Sequence, residues 1–125
     1  MKDSVILAGL AVIAVSTVLF GSAPATARTP FDGAWSVLVV TDRGTCDRAY
    51  RYALHIDNGR VSYDNPSISV SGHVDGAGRV RVALSAGGQT ASGFGRLAGH
   101  YGRGSWSGRS SVSQCSGHWE AERRG

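Results

Sequence analysis

From Trp35 onward apolar residues recur at every second position, and the runs are cut by short pairs of residues that tolerate positive φ. This alternation constrains the fold more than any other feature. A period of two sends one face of each run to a core and the other to solvent, and no segment holds a helical period for three turns. Trp35-Val37-Val39 alternates with Ser36-Leu38-Val40, and Tyr50, Tyr52, Leu54 and Ile56 alternate with Arg51, Ala53, His55 and Asp57. Asn58-Gly59 then gives the strongest hairpin signal of the chain. It places Ile56 opposite Val61, and Asp57 opposite Arg60 as a cross-strand opposite-charge pair.

The pattern continues after Asp64-Asn65-Pro66, with Ile68-Val70-Gly72-Val74 on one face and His73 on the other. Asp75-Gly76-Ala77-Gly78 turns the chain into Val80-Val82-Leu84, whose outer face carries Arg79 and Arg81. Counting outward from Gly87-Gly88 sets Leu84 against Ala91, Val82 against Gly93 and Val80 against Gly95. Arg81 then meets Phe94 on the outer face as a cation–π pair. The last third is rich in glycine and serine, and within it Ser105–Arg109 and Cys115–Glu122 read as two final strands. In the latter, Cys115, Gly117, Trp119 and Ala121 face inward. Large apolar residues facing the inward glycines Gly72, Gly93, Gly95 and Gly117 suit a strongly curved sheet. The fold expected is all-β, an antiparallel meander of about eight short strands closed into a small barrel, with a compact β-sandwich as the alternative.

Residues 1–27 have a different character. A short polar start carries Lys2, Val5 to Phe20 is apolar or small, and Ala25-Thr26-Ala27 closes the segment. This is the order of a cleaved signal peptide. A retained membrane anchor is the other reading, but the apolar run is shorter than the roughly 18–20 residues that span a bilayer. Residues 28–125 then form one small domain, periplasmic or secreted, with no membrane partner after cleavage and a monomeric state. In an exported chain the two cysteines, Cys46 and Cys115, favour a disulfide over free or metal-binding thiols. A loop of that length contributes about 4 kcal/mol in the chain-entropy model.

The formal net charge is +4, and every basic residue after Lys2 is an arginine. They are spread from Arg28 to Arg124 rather than gathered as a nucleic-acid footprint, so no nucleic-acid partner is expected. No catalytic set is visible. Gly93-x-Gly95-x-x-Ala98 has the letters of a dinucleotide fingerprint but lies in a strand and opens no helix. His55, His73 and His118, with Glu120 and Glu122, would form a surface metal site only if their strands were neighbours, and solvated histidines are the simpler reading. No cofactor or metal is expected, and the chain reads as a non-enzyme. Trp35, Tyr50, Tyr52, Trp106 and Trp119 are the candidate ligand-binding residues, either lining a cavity at a barrel mouth or filling a core short of leucine and isoleucine. An eight-stranded barrel is just wide enough for side chains or one small ligand. The partner is thus a small ligand or an exported protein.

Phe31-Asp32-Gly33-Ala34-Trp35, Gly44-Thr45-Cys46-Asp47, Tyr50-Arg51-Tyr52 and Cys115-Ser116-Gly117-His118-Trp119-Glu120-Ala121-Glu122-Arg123-Arg124 together resemble a group of small exported bacterial proteins without an established function. Gly33-x-Trp35 with Arg123 or Arg124 is also similar to lipocalin-type barrels. That resemblance implies a late arginine packed on the tryptophan at the closed end. The same opening with an early cysteine is similar to bacterial periplasmic protease inhibitors of barrel form. There a segment preceding the barrel enters the protease, and here it would be Arg28 to Asp32 alone. Inhibition of an exported protease or cell-wall hydrolase is therefore the alternative function.

Overall fold

A computed structural model describes residues 29–125, so the expected signal segment lies outside the described residues. Eight strands follow in chain order: β1 (Gly33–Arg43), β2 (Ala49–Asp57), β3 (Arg60–Ser62), β4 (Ser69–Val74), β5 (Arg79–Ala86), β6 (Gln89–Ala98), β7 (Tyr101–Arg109) and β8 (Gln114–Arg123). Each pairs antiparallel with the next, and β1 closes on β8, giving a barrel rather than a sandwich.

The hairpin registers follow from the turn chemistry. Asn58 and Gly59 take φ of 53° and 79°, and Gly87 and Gly88 take 54° and 84°, the left-handed pairs that match the twist of the flanking strands. Ile56 faces Val61 and Asp57 faces Arg60 across the first of these turns. Val80, Val82 and Leu84 face Gly95, Gly93 and Ala91 across the second. Arg81 does stand opposite Phe94, but Phe94 is exposed and the cation–π contact among the described residues is Arg123 over Trp35.

Two elements depart from the expected bounds. β7 begins at Tyr101 rather than Ser105, taking Gly102 and Gly104 into the sheet. Inward glycines leave no side chain for an alternation to register, yet a Cβ on Gly104 would stand only 2.6 Å from Cζ2 of Trp119. β1 runs on to Arg43 through a bulge between Thr41 and Arg43. There Trp106 of β7 crosses Gly117 of β8 to donate its indole N–H to the Val40 carbonyl, 2.8 Å away. A Cβ on Gly117 would lie 2.9 Å from that same indole nitrogen.

The core is gathered at one end. Phe31, Trp35, Ile56, Val61, Val74, Val80, Leu97, Trp119 and Ala121 form the buried cluster, and most of them lie where β1 begins and β2, β4, β6 and β8 finish. The disulfide ties the β1–β2 loop to the start of β8 at the other end, bridging residues 69 apart. Charge is divided around the wall as well. The strands β3 to β7 contain six arginines and no carboxylate, so registers that are invisible along the chain bring Arg79, Arg96 and Arg103 into one row.

Candidate functional site: a cavity open at one end

Thr29–Asp32 runs across the closed end before β1 begins. Asp32 holds it down. Its Oδ1 accepts from the Thr29 hydroxyl at 2.7 Å and the Gly59 N–H at 3.1 Å, and its Oδ2 accepts from the Asn58 N–H at 2.7 Å. Burial pushes the Asp32 carboxyl up, but these donors, with the Thr29 N–H, outweigh it and hold the group below the ordinary aspartate value. The same carboxylate therefore fixes the strap and caps the β2–β3 turn.

The strap positions Phe31 as a plug, 8% exposed, with its carbonyl accepting the Trp35 indole N–H at 2.8 Å. Arg123, the last residue of β8, lies over the Trp35 ring with its guanidinium carbon 5.0 Å from the ring centroid. It donates to the Asp32 carbonyl at 2.9 Å and to the Pro30 carbonyl. A stacked cation that also satisfies two loop carbonyls is what seals this end against water.

Above that floor the barrel is hollow. A cavity of about 620 Å³ runs from Trp35 to the loops at the opposite end. Its apolar walls include Val37, Val39, Leu54, Val70, Val82 and Leu84, with Trp106 and Trp119 among them. Its charged lining residues are Asp47 and Arg109, both at the mouth where β1, β2, β7 and β8 meet their loops. The volume falls in the range of small-molecule sites, and so does the pattern of apolar walls with few polar groups. Filled-core and hollow readings both hold, at different depths.

All five aromatic residues singled out from the sequence line this space, in a graded order. Trp35 (2% exposed) forms the floor and Trp119 (7%) stands mid-wall, while Trp106 and Tyr52 are half-buried and Tyr50 is exposed at the rim. Tyr63, also at the mouth, completes a ladder: the Tyr50 and Tyr52 rings are 4.8 Å apart, and Tyr63 meets Tyr52 edge-on at 5.6 Å. Burial, then the neighbouring Tyr50, Tyr63 and Asp47, push the Tyr52 hydroxyl up, so it stays protonated and able to donate. The tryptophans differ in their polar edge. Trp35 and Trp106 donate to backbone carbonyls, whereas Trp119 Nε1 has no hydrogen-bond partner among the described residues.

The histidines lie elsewhere. His55 and His73 are exposed on β2 and β4. His118 Nδ1 pairs with Asp42 Oδ2 at 2.7 Å, with Glu120 4.0 Å from its other nitrogen. β2 and β8 flank β1 on opposite sides and β4 is farther round, so the candidate metal set is not brought together. Among the described residues no group of three or more histidine, cysteine or carboxylate side chains could hold a metal ion. The sequence Gly93-x-Gly95-x-x-Ala98 lies wholly within β6.

The fold and site define an eight-stranded up-and-down barrel with one sealed and one open end. Comparison with known proteins finds no matching family model, no matching curated protein and no matching solved structure.

Proposed function

We propose that this protein is a non-enzymatic binder that holds a small, mainly apolar molecule inside the barrel, in the periplasm or outside the cell. The observation that carries the reading is the cavity of about 620 Å³ with apolar walls, sealed by Arg123 on Trp35 and open past Tyr50, Tyr52 and Tyr63. An empty apolar space of that size is costly to a domain of this length, since each missing contact lowers stability. A ligand that fills it recovers that cost on binding. The disulfide suits an oxidising compartment, and no helix among the described residues is long and apolar enough to cross a membrane.

The alternative of hydrolase inhibition through the leading segment has less support, because Thr29–Asp32 is fastened to the floor by Asp32, Phe31 and Arg123. A titration with N-phenyl-1-naphthylamine tests the proposal. Saturable one-to-one binding with energy transfer from the tryptophans is expected, and Ala91→Phe in the cavity wall should weaken it at least tenfold. Binding that never saturates, or that Ala91→Phe leaves untouched, refutes an interior site.

A further inference from the structure

Resting on that reading, we infer the chemical class of the ligand: an uncharged apolar molecule carrying a carbonyl or ether oxygen, which accepts a hydrogen bond from Trp119 Nε1. Trp119 is 7% exposed and lines the cavity, and its indole N–H is the one tryptophan donor without a protein acceptor among the described residues. The N–H is not sealed in protein: among the described residues the one fully buried side-chain donor without a partner is Arg123 Nε, so Trp119 Nε1 keeps accessible surface, and a ligand that displaces water from the cavity must supply an acceptor or leave it unpaired. Nε1 lies 3.6 Å from the point a Cβ on Gly93 would occupy, and Gly93 itself lines the cavity. The neighbouring six-membered-ring atom on the same edge is committed. This Cζ2 packs where Gly95 and Gly104 carry no side chain, so the indole is keyed into one orientation. Glycine at 93 leaves open a volume beside Nε1.

The surroundings exclude a charged partner. Trp119 lies five residues along β8 from Gln114 at the rim, roughly 16 Å of strand. The charged lining residues, Asp47 and Arg109, belong to the mouth. A carboxylate beside Trp119 would be desolvated with no cation to meet it, whereas a carbonyl or ether oxygen needs only the single donor that is present. Fatty-acid carboxylates and other anions are thereby disfavoured as the buried end of the ligand.

The test compares 2-acetylnaphthalene with 2-isopropenylnaphthalene, which differ in C=O against C=CH₂, and with 2-naphthoate, by equilibrium dialysis on the oxidised protein. The ketone-to-alkene preference of the native chain should exceed that of Trp119→Phe about fivefold, the worth of one neutral hydrogen bond. Naphthoate should bind weakest. In the native chain the ketone should also shift the Trp119 indole N–H resonance while those of Trp35 and Trp106 stay put. Gly93→Ala serves as a second variant: its methyl makes only ordinary contacts, so the fold survives, but it fills the space 3.6 Å from Nε1 and should reduce the same preference. If ketone and alkene bind and the preference is unchanged in both variants, the assignment of Trp119 is overturned while the cavity reading stands. If neither ligand binds the native chain, both fall.

Discussion

Gly93 and Gly104 lie on adjacent strands and face the same tryptophan, yet alanine at the two positions should have opposite effects. At Gly104 the new methyl would stand 2.6 Å from Trp119 Cζ2 and 2.7 Å from the Gly95 Cα, and would press on the Phe94 carbonyl. Two of these neighbours are backbone and the third is a ring already wedged between strands, so none can yield cheaply. Overpacking of this kind costs about 1–3 kcal/mol, and with a backbone carbonyl involved the middle of that range, about 2 kcal/mol, is a conservative expectation. For a domain near 100 residues each kcal/mol moves the melting temperature by roughly 4–8 °C, so Gly104→Ala should melt roughly 8–16 °C below the native chain. At Gly93 the nearest atoms are 3.5, 3.6 and 3.8 Å away, ordinary van der Waals separations, and φ there needs no glycine. Gly93→Ala should therefore match the native chain, or exceed it by about 0.4–1 kcal/mol because the unfolded chain loses freedom. Thermal melts followed by far-ultraviolet circular dichroism, with urea titrations to confirm an unchanged slope, measure both. Adding Trp119→Phe should recover about 1 kcal/mol of the Gly104→Ala cost if the ring is the obstacle. A Gly104→Ala melt within 2 °C of native, or equal losses at both glycines, would refute the packing described for the mid-barrel.

Reduction, or Cys46→Ser with Cys115→Ser, should lower stability by about 2–5 kcal/mol, read as the melting-temperature difference between oxidised and reduced samples. Asp32→Ala removes the acceptor of the strap and the β2–β3 turn and should cost about 1–2 kcal/mol. Because the folded state lowers the Asp32 carboxyl below its unfolded value near 3.9, it binds fewer protons than the unfolded chain. Its contribution is thus complete above about pH 5 and lost as pH falls through the unfolded and then the folded value. Native and Asp32→Ala proteins should converge in stability near pH 2, and a constant gap down to that pH would contradict the assignment. Arg96→Glu places an opposite charge between Arg79 and Arg103 and should raise the melting temperature by a few degrees at low salt, less at 1 M. A lower melting temperature at low salt would show that the row is not repulsive.

The hairpins were legible because their turn residues fix register directly: once Asn58-Gly59 and Gly87-Gly88 are read as two-residue turns, the facing pairs on both sides follow by counting. The start of β7 was not, since Gly102 and Gly104 carry no inward side chain and their role belongs to Leu97 and Trp119 on neighbouring strands. The bulge at Thr41–Arg43 leaves no trace in an apolar run. For the site, the five aromatics could be named from the inward stripe, but their depth depends on barrel closure. Hollow against filled is a matter of summed volumes around a ring. Trp119 became distinctive only when Trp35 and Trp106 were seen to have acceptors supplied by Phe31 and Val40, one from outside the periodic pattern and one exposed by the bulge. Asp32 and its strap lie ahead of the first alternating run, so the period of two assigned them no structural role. The arginines looked dispersed because a meander turns nearness across strands into distance along the chain.

The meeting of Ala34 with Gly125 and Arg124 has a practical bearing. The Ala34 N–H donates to the Gly125 carbonyl at 3.0 Å, and the Arg124 N–H to the Ala34 carbonyl at 2.7 Å. Gly125 thus lies at the underside, across the barrel from the tyrosine rim. A purification handle, a surface tether or a fused reporter placed after it would start like a stem beneath a cup, leaving the doorway for cargo at the far end.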